Sequence, residues 1–215
     1  MQPQGVPGSY TNVNFVDLGL KGVFFKSDPA RAHQHALTAA RLDSERMAAE
    51  PQNADSRLDY TRDLEVLANS HLAQRQYADA LRYFEQALPL RRALFEVDQA
   101  NTLTWHQLVF TLMRMGETHV LAGQPGQAGG FLRESIRRIE ARPGLKEHWV
   151  IPTLARAYLA LGEVEVAARS SPCRSYRRSQ ELLRDLPDAE KYLSPDTAGL
   201  RDRARQRLKS CAGGA

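Results

Sequence analysis

The chain has few cysteines and no long apolar run. Cys173 and Cys211 are its only cysteines, too few for a disulfide scaffold and too far apart for a compact metal motif. This usage fits a reducing compartment and favours a structural or incidental role for both over a catalytic one. No stretch approaches the roughly 20 apolar residues of a membrane span, and residues 1–5 lack the basic and apolar regions of a signal peptide. We therefore expect a soluble, cytoplasmic protein.

The chain also lacks the motifs of the common enzyme classes. It contains no glycine-rich ATP loop, no His-Arg-Asp segment, no Asp-Phe-Gly and no Gly-x-Ser-x-Gly elbow, so kinase and hydrolase chemistry have no residues to carry them. His33 and His35 fall on different helix faces rather than at the i, i+4 spacing of a metal-binding pair. We predict a protein that is not an enzyme, with no cofactor and no metal site.

The charge is only mildly basic. Lys and Arg number 29 against 25 Asp and Glu, which gives a formal charge of +4 and a pI near 9.2. The excess is greatest over residues 201–209, where a helix would turn Leu200, Ala204 and Leu208 inward and leave the basic residues around its outside. A solvated capping face is favoured over a phosphate-binding patch, because no aromatic side chains are interleaved to stack on bases.

The sequence does contain an internal repeat of small and bulky residues. Small residues recur where two helices would touch closely, and bulky ones recur where they would fill the gap. The series Leu67, Ala68, His71, Tyr77, Ala80, Phe84 and Ala87 returns at a constant interval as Met115, Gly116, His119, Pro125, Ala128, Leu132 and Ser135. Recurrence on this scale predicts stacked helical hairpins, whose function lies in surfaces. The matching histidines are expected to be partly buried packing residues, each with a hydrogen bond.

Helical periodicity places the elements. It predicts helices over about 29–49, 58–73, 77–97, 103–122 and 126–140, between an irregular segment 1–27 and a connector with a basic capping helix over 187–215. Aligning Leu154 with Met115 predicts a third hairpin. Its first helix begins near Glu147 and ends near Leu161. In that alignment residues 170–173 break the helix and begin a short insertion, after which a new amphipathic segment starts. Gly129 and Gly130 predict a loosened helix start or a close backbone contact.

The first helix carries a small and an aromatic residue, a turn follows, and the second helix carries Ala-x3-aromatic-x2-Ala. This spacing resembles the tetratricopeptide repeat. Residues 77–87 are its best example, and the resemblance extends over residues 28–186. The interval from Leu67 to Met115 exceeds the usual repeat length of about 34 residues, and the extra length lies in a long second helix and in the linkers 50–53 and 98–101. Such long repeats, with a closing segment like 175–179, are similar to the tetratricopeptide regions that follow the kinase domain of some large bacterial Ser/Thr kinases. The resemblance implies an all-α, right-handed helical-hairpin solenoid with a C-terminal capping helix.

In that family the ligand commonly lies in a concave groove lined by the first helix of each pair. The resemblance therefore implies a partner-binding groove for a peptide or protein, formed by Arg62, Asn69, Phe110, Arg114, Glu117, Trp149 and Arg156. The subclass that clamps a C-terminal carboxylate uses Lys-x3-Asn, but Glu65 precedes Asn69 here, so that clamp is not predicted. Trp105 is expected to pack in the core and Trp149 to offer an exposed contact.

The sequence leaves three functions open. The first is a non-enzymatic protein-binding scaffold, for which no nucleic acid partner is expected. The second is a detached sensory or regulatory region of a bacterial Ser/Thr kinase signalling system. The third is a basic helical repeat that binds nucleic acid, with an affinity that falls steeply as salt rises.

Overall fold

The computed structural model describes residues 29–142, 149–184 and 199–212, in which helices are joined by short turns and no strand occurs. Within these ranges the helices are α1 (Pro29–Ala49), α2 (Ala54–Ala73), α3 (Tyr77–Val97), α4 (Thr102–Leu121), α5 (Pro125–Glu140), α6 (Val150–Ala167), α7 (Cys173–Arg184) and α8 (Leu200–Ala212). The predicted all-α class is confirmed. The predicted irregular segment 1–27 and most of the predicted connector lie outside the described residues.

The helices belong to two compact units, one ending at Gln99 and the other beginning at Ala100. In the first unit, α1 packs on α2 and α2 packs on α3. In the second unit, α4 to α7 pack in chain order, α4 also packs on α6, and α8 packs on α7. Within each unit, helices that are consecutive in sequence pack on one another, which is the order of a helical-hairpin solenoid, as predicted.

The three hairpin turns in the described chain share one capping geometry. The residue that follows α2, α4 and α6 by two positions has a positive φ, which is 59° at Arg75, 73° at Gly123 and 54° at Arg169. In each turn the next residue donates its N–H to a carbonyl five residues back, at 2.8–2.9 Å. This pattern is the Schellman motif, which satisfies carbonyls left open at a helix end. The three turns are therefore structurally equivalent.

Asparagines begin the first helices of two hairpins. Asn53 and Asn101, which are separated by the same interval as Leu67 and Met115, each accept backbone N–H groups from the residues two and three positions ahead. Asparagine is among the best residues at this N-cap position because its side-chain oxygen satisfies donors that the helix leaves unpaired. The recurring linker thus fixes where each of these hairpins starts.

Small residues allow close helix crossings. A Cβ atom added at Gly116 on α4 would overlap the Leu132 side chain on α5, and one added at Gly162 on α6 would overlap the Tyr176 ring on α7. The residue equivalent to Gly116 in the first unit is Ala68, which is fully buried. The predicted alternation of small and bulky residues is therefore confirmed as the packing device of the hairpins.

Buried serines strengthen two of these crossings. Ser135 Oγ donates to the carbonyl oxygen of Val109, and Ser179 Oγ donates to that of Ala155, both at 2.8 Å. A hydroxyl with a partner avoids the cost of an unsatisfied buried polar group. Each serine therefore ties the second helix of its hairpin to the backbone of the first.

The repeated histidines have the expected role. His71 Nδ1 lies 2.6 Å from Gln76 Oε1, and His119 Nδ1 lies 3.1 Å from Gln124 Oε1. Both rings are at least partly buried at the ends of first helices. The prediction of packing histidines with one hydrogen bond each is confirmed.

The predicted register of the third hairpin is wrong. Helix α6 runs without a break from Val150 to Ala167, and the turn follows at 168–170. Gly162 is therefore the counterpart of Gly116, and α7 is the second helix of the hairpin rather than the end of an insertion. The error has a physical cause, since the alanines at 155, 157 and 160 satisfy a small-residue pattern in more than one register.

The expectation for Gly129 and Gly130 is also wrong. Helix α5 begins regularly at Pro125, so its start is not loosened. A Cβ atom at Gly130 would meet nothing within 4 Å. One at Gly129 would meet the far end of the Arg133 side chain and, at an ordinary contact distance of 3.5 Å, Val164 Cγ1 on α6. The close approaches occur at Gly116 and Gly162 instead.

Replacement of the two kinds of glycine should have opposite effects. Gly162→Ala should lower the free energy of unfolding by about 1–3 kcal/mol, because the added methyl displaces the buried Tyr176 ring. Gly130→Ala should raise it by about 1 kcal/mol, because the site is open and alanine is the better helix former. Urea denaturation followed by circular dichroism measures both. Equal effects of the two substitutions would contradict the assigned crossing.

A buried acid lies between α1 and α2. Asp63 is 3% exposed, and its pKa is raised to about 8, first by burial, then by hydrogen bonding with Asp43 and by the charges of Asp43 and Asp59, with Arg46 opposing. A carboxyl group whose pKa is higher in the folded than in the unfolded chain stabilises the fold below its unfolded pKa. That contribution is lost as the pH rises through the folded value.

The first unit should therefore lose stability between about pH 4 and about pH 8. Asp63→Asn keeps a hydrogen-bond donor toward Asp43 without the charge, so its unfolding midpoint in urea should exceed that of the wild type by more at pH 9 than at pH 5. Glu85→Gln, on the exposed side of α3, serves as the control and should show no such trend. If the difference in unfolding midpoint between Asp63→Asn and the wild type does not change with pH, the raised pKa assigned to Asp63 is refuted.

Candidate partner-binding surface

The structure divides the predicted groove residues between the two units. Arg62 and Asn69 lie on α2 in the first unit, where both are partly buried and Arg62 Nη1 pairs with Asp59 Oδ1 at 3.0 Å. The other five residues lie on α4 and at the start of α6 or along it, in the second unit. Those five can be described as one surface.

Aromatic rings cluster where α4 and α6 begin. The His106 ring lies 3.8 Å from the Trp149 ring between centroids and 5.9 Å from Phe110, and Trp105 lies 5.3 Å from Trp149. Trp105 is 1% exposed, whereas Phe110 and Trp149 are partly exposed. The prediction that Trp105 packs in the core is confirmed, and Trp149, expected to be exposed, is partly buried by its contacts with Trp105 and His106.

An ionic cluster follows along the same helix faces. Glu117 Oε2 on α4 accepts from Arg114 Nη1 at 2.9 Å and from Arg156 Nη2 on α6 at 2.5 Å. Two guanidinium groups thus converge on one carboxylate oxygen, in the charge-assisted geometry that gives strong hydrogen bonds. The cluster joins the first helices of two successive hairpins.

Arg114 and Arg156, predicted as groove residues, turn inward rather than toward solvent. They are only 5% and 6% exposed, because each guanidinium group turns toward Glu117 between the helices. Their role in binding a partner stays a prediction. In the structure they hold Glu117, whose side chain keeps 16% exposure, at the surface of the cluster.

The terminal helix closes a cavity beside this cluster. The cavity has a volume of about 380 Å³ and is lined by Glu117 on α4, by Arg156 and Glu163 on α6, and by Arg203 and Arg207 on α8. Sequence reasoning treated α8 as a solvated cap and missed this contribution. The available signal was the helical spacing of Glu163, which lies two turns after Arg156 and so on the same face.

Glu163 connects the hairpin core to the terminal helix. Its Oε1 atom accepts from Arg207 Nε at 2.7 Å and from the Tyr176 hydroxyl at 3.0 Å. Burial, followed by the hydrogen bond and charge of Glu163, raises the pKa of Tyr176 above its usual value. The phenol therefore stays protonated and donates.

The terminal helix is also covalently attached. Cys173, the first residue of α7, forms a disulfide with Cys211 near the end of α8. The inward stripe of α8 is confirmed, since Leu200 and Ala204 are buried against α7. The structural role predicted for the cysteines is confirmed too, but their pairing removes the basis for inferring a reducing compartment.

The surface is made of aromatic side chains and paired charges. Among the described residues, no group of three or more His, Cys, Asp or Glu side chains is arranged to hold a metal ion. None of the helices described here combines the length and apolarity needed to cross a membrane. The exposed elements of the surface are aromatic faces and paired charges, which suit binding to a protein chain.

Residues 64–101, from within α2 to the cap of α4, match the family described as Tetratricopeptide repeat. No curated protein is similar enough to the chain to count as a match. The tetratricopeptide match contains the segment 77–87, which was identified as the best example of the repeat, and the helical hairpins fit a protein of this type.

Loss of the disulfide should loosen the attachment of α8 to the rest of the second unit. Cys211→Ser should lower the free energy of unfolding by about 2–4 kcal/mol, because the bond joins two distant points of the sequence and restrains the unfolded chain. Urea denaturation measures the loss, and amide hydrogen exchange should locate it in α8.

Dithiothreitol provides the matched control for this prediction. It should bring the wild type to the stability of Cys211→Ser and should leave that variant unchanged. A wild-type midpoint that does not respond to the reductant would show that the bond does not hold the helix.

Proposed function

We propose that the chain is a non-enzymatic scaffold that binds a peptide or partner protein, chiefly through the face formed by Phe110, Glu117, Trp149 and Arg156, here called the α4–α6 face. Tetratricopeptide repeats are in general protein-interaction modules. In the first unit we assign partner contacts to Arg62 and Asn69 on α2.

The observation that carries the proposal is the pair of partly exposed aromatic side chains. Phe110 and Trp149 are fixed by contacts with His106, and Trp149 is also backed by the buried Trp105. Aromatic side chains held in place before binding lose little conformational entropy when a partner arrives. They are also the residue type most often found to dominate binding energy. An apolar side chain of the partner would pack here.

The ionic cluster makes the rest of the α4–α6 face rigid and polar. Because Glu117 is held by two arginines, its position is set before any partner binds. A peptide lying along α4 would therefore pass from an apolar contact at Phe110 to a polar one at Glu117. This order of apolar and polar contacts lets the surface distinguish peptides by the order of their residues.

Binding can be tested with a displayed peptide library selected against the full chain. We expect selected peptides to carry an apolar residue and to bind Phe110→Ala at least about tenfold more weakly than the wild type, a loss of about 1.4 kcal/mol. Phe110→Ala is preferred to a change at Arg114, because removing a buried partner of Glu117 would also unfold the surface.

Phe131→Ala is the matched control for this experiment. Phe131 is a partly buried ring on α5 that stacks on His119 at 5.7 Å, so its removal deletes the same side chain away from the α4–α6 face. Peptides that bind Phe110→Ala as tightly as the wild type, or that lose the same affinity to Phe131→Ala, would contradict the proposal. Thermal melts of both variants check that folding is retained.

A further inference from the structure

A second groove lies in the same unit, between the second helices of the last two hairpins. It has a volume of about 940 Å³ and runs between α5 and α7 over α6. Helix α5 contributes Arg133, Arg137 and Glu140, and helix α7 contributes Arg174, Arg178 and Glu181. Both helices therefore present the pattern Arg-x3-Arg-x2-Glu to one groove.

The two helices run in the same direction. The hydroxyl of Tyr158 reaches Glu140 near the end of α5, whereas Val164, later in α6, lies beside Gly129 near the start of α5. Helix α6 is therefore antiparallel to α5, and the crossings of Ser179 with Ala155 and of Tyr176 with Gly162 show the same for α7. In two parallel helices with this pattern, Arg133 and Arg174 share one end of the groove and Glu140 and Glu181 share the other. Arg137 and Arg178 lie between these ends, and Arg178 also contacts the Tyr158 side chain.

The arginine end is rich in available charge. Arg133, Arg137, Arg174 and Arg177 are exposed and form no ion pair with any residue in the described part of the chain. Arg178 faces Glu181 at 3.6 Å, with both side chains nearly half exposed, which is a weak surface pair. Glu165 on α6 also lines the groove, so the cationic end contains one acid against several guanidinium groups.

The glutamate end is organised as an acceptor. Tyr158 donates its hydroxyl to Glu140 Oε1 at 2.7 Å. Burial, and then this hydrogen bond, raises the pKa of Tyr158 to about 12, so the phenol remains a donor at neutral pH. Glu140 is thereby held in place while its side chain remains exposed in the groove.

The charges point to a short peptide with acidic residues followed by a basic one. Arginines four apart on a helix are separated by about 6 Å along its axis, and alternate residues of an extended chain are separated by about 6.6–6.8 Å. Acidic side chains at alternate positions would therefore match Arg133 and Arg137, or Arg174 and Arg178. Ile136 and Leu161 in the lining provide an apolar contact between them.

We propose that the groove between α5 and α7 binds an extended peptide segment with two acidic residues at alternate positions, followed by a basic residue that pairs with Glu140 or Glu181. This site is separate from the α4–α6 face and does not depend on it. A uniform polyanion fits less well, because its backbone would meet the glutamates. For a single-stranded nucleic acid, Tyr158 is the one aromatic ring among the described lining residues, and that ring is held at Glu140.

The probe is a fluorescein-labelled synthetic peptide with the order Gly-Asp-Leu-Asp-Gly-Lys-Gly, titrated with the full chain and followed by anisotropy. The matched comparison is a peptide of the same composition with the lysine placed between the two aspartates. We expect the ordered peptide to bind at least about tenfold more tightly than the rearranged one. Arg133→Glu combined with Arg174→Glu should weaken binding of the ordered peptide at least about tenfold.

A second double variant controls for non-specific charge. Arg82→Glu with Arg205→Glu makes the same change in net charge at exposed positions outside the groove and should leave binding within about twofold of the wild type. If the Arg133 and Arg174 variant unfolds in a thermal melt, Arg133→Gln with Arg174→Gln replaces it. Phe110→Ala should bind this peptide normally, so failure here is distinguishable from failure of the α4–α6 face.

Several outcomes would overturn the proposal. They are equal binding of the ordered and rearranged peptides, equal losses in the two charge-reversal variants, or no binding of either peptide at millimolar protein. Stronger displacement of the ordered peptide by tripolyphosphate or a single-stranded oligonucleotide than by unlabelled peptide would show that the groove selects phosphate rather than carboxylate.

Discussion

The close crossing of two helices within each hairpin is the constraint on which the second unit depends. Gly162 leaves room for the Tyr176 ring, as Gly116 does for Leu132, and the second helix can then approach near enough for a serine hydroxyl to reach the opposite backbone. The Tyr176 ring fills the core, yet its hydroxyl emerges to hold Glu163 beside the cavity. One side chain therefore links the packing of the hairpin to the geometry of the surface.

What the sequence predicted well depended on local or periodic signals. The turns after α2 and α4 and the matching histidines recur at the same interval in the sequence, and each makes its contacts close to itself along the chain. The capping role of Asn53 and Asn101 is equally local but was not predicted. The register of the third hairpin depended on choosing among several small residues on α6, and periodicity alone could not choose. The burial of Arg114 and Arg156 depended on a shared carboxylate at Glu117. Arg114 lies three residues before Glu117 on α4, a spacing that the sequence shows. The contact of Arg156 with Glu117 joins different hairpins and leaves no trace in the spacing of Arg156.

The two surfaces of the second unit use charge differently. On the α4–α6 face, arginine and glutamate are paired and largely buried, so their main effect is to fix positions rather than to attract a partner. Burying such a pair has a desolvation cost that its mutual attraction must offset. In the groove between α5 and α7, the arginines are exposed and the counter-charges lie mainly at the other end. Charge arranged in this way acts at a distance and orients a partner as it approaches.

The terminal helix is more than a polar cover for an open end. Leu200 and Ala204 bury against α7, Cys211 is bonded to Cys173, and Arg207 reaches Glu163 on α6. These contacts lie at both ends of the helix and in its middle, so α8 is restrained along its length. Because Arg207 also lines the cavity next to Glu117, the residues that close the hairpin stack are partly the residues that shape the candidate binding surface. A change that weakens the attachment of α8 would therefore alter that surface as well as the stability of the unit.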